Sequence, residues 1–231
     1  MYKYIGTDDK LMKKLLSASL MCADLTKLGD SLTELKAAGI DYLHLDIMDG
    51  SFVPNITLGF DLVNAVKAIT DIPLDVHMMV NEPGRFIDRM NLDKNDILCV
   101  HYESDIHIHR TLSQIKDKGI KAGLALNPQT PLESMEYLTD YMDMALIMTV
   151  SPGFAGQKLF AGAERKTAAA RKMLNELGHA DMPIEVDGNI SPENGMKLSR
   201  CGADIFVLGT SSLFIKGKSL TEAAEEVRAV L

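Results

Sequence analysis

Four residues of this 231-residue chain have the types and spacing to hold a cation and move protons: His44, Asp46, His77 and Asp187. His44 and Asp46 stand two apart in Tyr42-Leu-His-Leu-Asp-Ile-Met-Asp-Gly50, an apolar run in which alternate side chains share a face. His77 lies in Asp75-Val-His-Met-Met-Val80, and Asp187 closes Glu185-Val-Asp-Gly188. Two imidazoles and two carboxylates make a mixed nitrogen and oxygen donor set suited to one divalent ion such as zinc, iron, manganese or cobalt. The competing reading is a group of buried polar residues satisfied by their neighbours, since a bare His-X-Asp arises easily by accident. Buried, uncompensated charge is costly, and a cation among the carboxylates removes that cost.

The elements that must position these residues follow from the hydrophobic pattern. Eight short apolar runs alternate with segments of helical period: Leu15 to Met21, Tyr42 to Met48, Leu74 to Val80, Ile97 to Tyr102, Ala122 to Leu126, Ala145 to Val150, Ile184 to Val186 and Ile205 to Leu208. Sharing the chain among eight units gives roughly 29 residues each, close to one strand plus its crossover helix. The expected fold is therefore a single (β/α)₈ TIM barrel, with an open doubly wound sheet as runner-up. No linker or composition break divides the chain, so one domain over residues 1–231 is expected, with residues 1–10 as a polar N-terminal extension. Asp24 to Gly39 reads as a capped helix ending at glycine, and Ser191-Pro192 as a helix start. Ala38-Gly39-Ile40-Asp41 and Cys201-Gly202-Ala203-Asp204 read as helix-to-strand loops on the stability face.

Active sites of such barrels lie at the carboxyl ends of the strands. There the second and seventh strands are three steps apart around the ring, so Asp46 and Asp187 approach the lumen from nearly opposite walls. One acid can then serve each face of a flat intermediate, as epimerisation beside a carbonyl requires. A cation would stabilise the negative charge that develops on the oxygens. Three loops rich in small residues, Val150 to Gln157, Asp187-Gly-Asn189 and Gly209-Thr-Ser-Ser212, follow the last three strands, where backbone amides commonly grip phosphate.

Net charge of −8 and a pI near 5.2 argue against a general nucleic-acid binder. No apolar run reaches the ~20 residues of a membrane span, and the opening MYKYIGTDDKLMKK lacks the apolar core of an export signal. A cytoplasmic protein with reduced cysteines at 22, 99 and 201 is expected.

From about Leu16 to the C-terminus the chain resembles the ribulose-phosphate 3-epimerase family. The motifs are Ser19-Leu-Met-Cys-Ala-Asp24, His44 to Gly50 running into Phe52-Val-Pro-Asn55, Asp75 to Val80, Met148-Thr-Val-Ser-Pro-Gly-Phe-Ala-Gly-Gln157 and Glu185 to Gly188. The resemblance implies that His44, Asp46, His77 and Asp187 bind one divalent metal, that Asp46 and Asp187 exchange the protons, and that Ser19 and His77 contact substrate. It further implies that Met48, Met79 and Met148 cover the intermediate with soft thioethers. Phosphate contacts carry over to Gly153, Phe154, Ala155, Gly156, Gly188, Asn189, Gly209 and Thr210. Family members generally associate, which implies a homo-oligomer.

Ala155, Asn189 and Thr210 depart from the family's usual Gly, Gly and Ser, and Ser19-Leu-Met-Cys22, Met148-Thr-Val150 and Gly209 to Phe214 are similar to an allulose-6-phosphate 3-epimerase branch. The expected reaction is inversion of C3 in D-ribulose 5-phosphate and D-xylulose 5-phosphate, with D-allulose 6-phosphate and D-fructose 6-phosphate as the alternative pair. A barrel decarboxylase would want an Asp-X-Lys-X-X-Asp pattern and a Schiff-base aldolase a lumen-facing Lys; neither is present. A sugar-phosphate binding protein without turnover would not need two opposed acids. His101, His107, His109, His179 and Arg85 receive no role, and His101 alone closes a strand where it could face the site.

Overall fold

Runs of Leu, Ile, Val and Met that are apolar on both faces suit strands buried between a packed lumen and surrounding helices. The computed structural model, which describes residues 13–231, forms eight such strands: β1 Leu15–Ser19, β2 Tyr42–Asp49, β3 Leu74–Met79, β4 Ile97–His101, β5 Lys121–Leu126, β6 Met144–Met148, β7 Ile184–Asp187 and β8 Ile205–Leu208. The expected extension at residues 1–10 lies outside the described residues. Each strand pairs in parallel with the next, and β8 pairs with β1 from Leu15↔Ile205 to Ala18↔Leu208, which closes the ring. The chain is thus a (β/α)₈ barrel rather than an open sheet.

The ends of the strands differ from expectation. β1 stops at Ser19 and passes into a 3₁₀ turn, Leu20–Cys22, while β6 stops at Met148. A two-residue strand, Ile56–Thr57, pairs antiparallel with the end of β2 and was not expected. Its Thr57 hydroxyl donates to the Asp46 carbonyl at 2.6 Å, so this hairpin buttresses the backbone beneath a candidate acid.

Five crossovers are α-helical, α1 Leu28–Ala37, α2 Phe60–Ile69, α3 Ile108–Asp117, α4 Ala163–Glu176 and α5 Pro192–Arg200, and a sixth helix, α6 Leu220–Arg228, follows β8. The helix expected over residues 24–39 begins instead as a 3₁₀ turn, Leu25–Lys27, whose N–H of Thr26 is capped by Asp24, before α1 takes over and Gly39 ends it at φ 68°. Ser191 caps α5 through the N–H of Asn194, with Pro192 at the first helical position as expected. The crossovers after β3 and β5 contain only 3₁₀ turns, Pro83–Arg85, Ile87–Arg89 and Leu132–Tyr141. Pro83 and Gly84 break the first of these early, and Glu82 sits ahead of them in a left-handed conformation (φ 51°).

Two apolar layers result. A large outer core joins strands to helices, and a smaller inner one, with Ile97, Cys99, Ala125, Met144, Leu146, Met148 and Ile205, fills the lumen. Gly123 leaves room in that lumen: a β-carbon there would lie 2.8 Å from Met144 Cε and 2.9 Å from Cys99 Cβ. At the opposite end from the catalytic loops, the Gly-X-Asp repeat belongs to a wider pattern. Asp41, Asp96, Asp143 and Asp204, each just before an even-numbered strand, accept the backbone N–H of Leu16, Leu74, Ala122 and Ile184 at the start of the preceding odd strand. Two of these acids also reach across the seam of the ring, Asp41 to Arg228 and Asp204 to Lys14. Cys22, Cys99 and Cys201 are free thiols, and no helix among the described residues is long and apolar enough to cross a membrane.

Candidate active site

The ladder between β2 and β3 sets the site. Its register pairs His44 with Asp75, Asp46 with His77 and Met48 with Met79, three successive lumen-facing levels. On the far wall β6 and β7 pair Met148 with Asp187. Ligand atoms of His44, Asp46, His77 and Asp187 consequently all lie within 4.8 Å of one another. The two histidines and Asp46 are buried, and Asp187 is partly open to a cavity above.

Asp46 is the hub. Its Oδ1 lies 3.2 Å from both His44 Nε2 and His77 Nδ1, and its Oδ2 accepts from the Ser19 hydroxyl at 3.1 Å. Burial alone would raise its carboxyl, but the two imidazoles of His44 and His77 beside it hold it well below the usual range. Asp187 Oδ2 stands 3.7 Å from His77 Nδ1. There burial, reinforced by the charges of Asp46 and Asp75 and opposed by the two histidines, pushes the carboxyl up to about 6. The opposing walls therefore present two acids of unlike proton affinity.

A second polar level lies one register step below. Ser17 donates to Asp75 Oδ2 at 2.8 Å, and the same oxygen faces His44 Nδ1 at 2.5 Å. Burial and the charge of Asp75 push Glu185 well up, and neither of its carboxyl oxygens finds a hydrogen-bond partner among the described residues. With Nδ1 of His44 committed to Asp75, its buried Nε2 makes no hydrogen bond of its own and directs a lone pair at the cluster. That orphaned nitrogen, beside two carboxylates and a second imidazole, fits a cation such as zinc, iron, manganese or cobalt.

The cavity above is lined by Ser19, Met48, Met79 and Met148 and by all three expected loops, including Gly153, Phe154, Ala155, Gly156, Gly188, Asn189, Gly209 and Thr210. Met48 and Met79 pack with Val53, and partly with Met21 and Phe52, into a separate apolar cap. Among the described residues, the backbone N–H groups of Gly188, Asn189 and Gly209 find no acceptor in the chain's own turns. Gly188 is held at φ 118° with Val150 Cγ2 2.4 Å from where a β-carbon would sit, so only glycine fits. Asn189 takes the left-handed conformation (φ 54°) that asparagine tolerates, and its amide donates to the Gln157 carbonyl at 2.7 Å. This joins the loops after β6 and β7. Asn55 similarly donates to the Gly153 carbonyl at 2.9 Å and ties the β2 loop across the mouth.

The sequence reading therefore has every one of its candidates in one place. It passed over Met21 and Cys22 on the cavity wall and Asp75 and Glu185 below, and it gave no role to His101, which it had noted could face the site. His101 is fully buried with Nε2 2.8 Å from His77 Nε2, and burial, more than any neighbour, lowers its imidazole to about 4. The other three histidines lie away from this cluster: His107 precedes α3, His109 meets the Tyr141 ring edge-on and His179 faces Asp140. Arg85 is an exposed partner of Glu82.

Residues 15–214 match the model of the Ribulose-phosphate 3 epimerase family. The chain belongs to that family of isomerases. It is 42% identical over 196 residues to the ribulose-phosphate 3-epimerase of Bacillus subtilis (strain 168), covering 85% of this chain and 90% of the relative. It is 43% identical over 217 residues to the chloroplastic ribulose-5-phosphate-3-epimerase of Arabidopsis thaliana, covering 93% and 76%. Solved structures extend the likeness in fold alone: a tryptophan synthase α-subunit from Pyrococcus furiosus superposes with a TM-score of 0.65 at 14% identity, over 95% of this chain and 98% of the other.

Proposed function

We propose that this member of the family inverts C3 of a ketose phosphate, interconverting D-ribulose 5-phosphate and D-xylulose 5-phosphate. The observation that carries the reading is the convergence of Asp46 and Asp187 from facing walls onto one cluster, at the floor of a cavity rimmed by amide-presenting loops. One carboxylate takes the C3 proton from one side of the substrate, and the other carboxyl returns a proton to the opposite side of the planar enediolate. His44, Asp46, His77 and Asp187 would hold a divalent ion there, which when bound supplies positive charge to the substrate oxygens as they become anionic. Ser19 steadies Asp46 through its hydroxyl and reaches the cavity, where it can also meet a substrate oxygen. Met48, Met79 and Met148 exclude water over the reacting carbon without offering it a competing proton. The phosphate is received by the loops from Gly153 to Gly156, at Gly188 and Asn189, and at Gly209 and Thr210.

Solvent deuterium exchange at C3, followed by NMR on ribulose 5-phosphate, tests the chemistry. Binding without exchange in the metal-loaded protein would leave only a sugar-phosphate binding function. A second substrate reading, D-allulose 6-phosphate and D-fructose 6-phosphate, is favoured by Ala155, Asn189 and Thr210, which all line the cavity beside the phosphate end. Initial rates on the pentulose and the hexulose phosphate, measured side by side, decide between them.

A further inference from the structure

The ring of His77 turns its Nδ1 toward Asp46 and Asp187, at 3.2 and 3.7 Å, and its Nε2 away from them. Nε2 instead meets Nε2 of His101 at 2.8 Å. Two ring nitrogens at that distance need one proton between them, and a ligand Nδ1 must keep its lone pair free, so in neutral His77 the proton sits on Nε2. His101 is then obliged to accept at Nε2 and to carry its own proton on Nδ1. That nitrogen faces Glu103 Oε2 at 3.2 Å. The other carboxylate oxygen, Oε1, accepts from the backbone N–H of Asn127 at 2.9 Å and from the Thr130 hydroxyl. Lys166, from α4, donates to the carbonyls of Asn127 and Thr130 at 2.5 and 2.8 Å and pins the loop that carries them. No member of this chain can be reversed without breaking another, because an ionised carboxylate at its end can only accept.

We infer that Glu103 and His101 form a positioning chain that selects the metal-binding tautomer of His77. This rests on reading the His44, Asp46, His77 and Asp187 cluster as a metal site. If the chain is cut, the proton of His77 is free to move to Nδ1, where it blocks the ligand position. The ring also loses its anchor on one side, since the two imidazoles lie nearly coplanar and end to end (24° between planes, centroids 4.9 Å apart), as an in-plane Nε2–Nε2 hydrogen bond requires.

The experiment compares the parent, His101→Leu and His101→Gln. Zinc affinity is read by competition with a chromophoric chelator, and the His77 tautomer by ¹⁵N NMR of the metal-free protein. His101→Leu removes the acceptor and should weaken zinc binding about 10–100-fold, with His77 nitrogen shifts moving toward the Nδ1-protonated form. In His101→Gln the side-chain oxygen can still accept from His77 Nε2, so most of the affinity and the parental tautomer should return. Should the leucine variant fail to fold, Glu103→Gln places at the far end an amide that can donate as well as accept, so the direction of the chain is no longer fixed and a mixed tautomer with weaker zinc binding should follow. A folded His101→Leu or Glu103→Gln with parental affinity and parental nitrogen shifts would overturn the inference. Failure of the parent itself to bind zinc, iron, manganese or cobalt would instead overturn the metal reading on which it stands.

Discussion

Asp46 and His77 are register partners across β2 and β3, so a ladder of the barrel wall also fixes the 3.2 Å between Asp46 Oδ1 and His77 Nδ1. A one-residue slip of that ladder would turn both side chains out of the lumen. Fold and donor geometry are therefore specified by the same hydrogen bonds.

Neutralising either acid should abolish epimerisation while leaving the barrel folded. Asp46→Asn and Asp187→Asn are each expected to lower kcat by about 10²-fold or more. Metal content, measured on the same samples, separates loss of proton transfer from loss of the ion. Asp187→Asn should keep more metal than Asp46→Asn, since Asp46 faces both histidines and Ser19 whereas Asp187 approaches only from its own wall.

Dialysis against a strong chelator should remove turnover and lower the melting temperature. The buried Nε2 of His44 and the acids around it would then face one another without a cation. Adding back zinc, iron, manganese and cobalt separately, and recording both Tm and rate, should restore both with at least one of them. A chelated protein with undiminished activity would contradict the metal assignment.

Gly123→Ala should destabilise the barrel from inside, because the new methyl meets Met144 and Cys99 below 3 Å. An overpacking cost of about 1–3 kcal/mol is expected, and a chain of this size loses roughly 2–4 °C in Tm per kcal/mol. Met144→Ala made in the Gly123→Ala background should recover part of the loss if the contact is its cause.

Glu103 gives a pH dependence with a definite sign. Burial raises its carboxyl, but hydrogen bonds from His101, Thr130 and the Asn127 N–H together bring it from 4.5 down to about 2. Between those values the unfolded chain binds more protons than the folded one, so this contribution is complete above 4.5 and is lost as pH falls toward 2. In urea unfolding, the stability gap between the parent and Glu103→Gln should be wide at about pH 5 and narrower at about pH 3. An equal gap at both would mean that the carboxylate is not held by these partners.

The barrel was legible because eight apolar runs at regular spacing have few other ways to bury both faces, and the donor quartet because strand ends point inward two residues apart. The same alternation also reached the level beneath, where only His44 was followed. Ser17, His44, Asp75 and Glu185 each stand two residues before Ser19, Asp46, His77 and Asp187, so all of them face the lumen. His101 offered the same signal at the end of β4, but its contact with His77 depends on the stagger of β3 against β4, which sets His77 opposite Cys99 and which periodicity does not report. The 3₁₀ crossovers were illegible for another reason: a repeat of three and one of 3.6 diverge little over a single turn or two.

The four aspartates beneath the strands have a consequence for how the chain could be divided. The backbone bond each makes to the start of the preceding strand stays within one strand-crossover-strand module, Leu16 with Asp41, Leu74 with Asp96, Ala122 with Asp143 and Ile184 with Asp204. A break in the crossover between β4 and β5 severs none of them and leaves two whole modules in each half. The halves would then meet along two ladders, β4 with β5 and β8 with β1, the second bridged by Arg228 and Lys14, and inside the lumen, where Asp187 faces Asp46 and His77. The ring is in this sense a paired assembly carried on one polypeptide, with its seams at the ladders that none of these four backbone anchors spans.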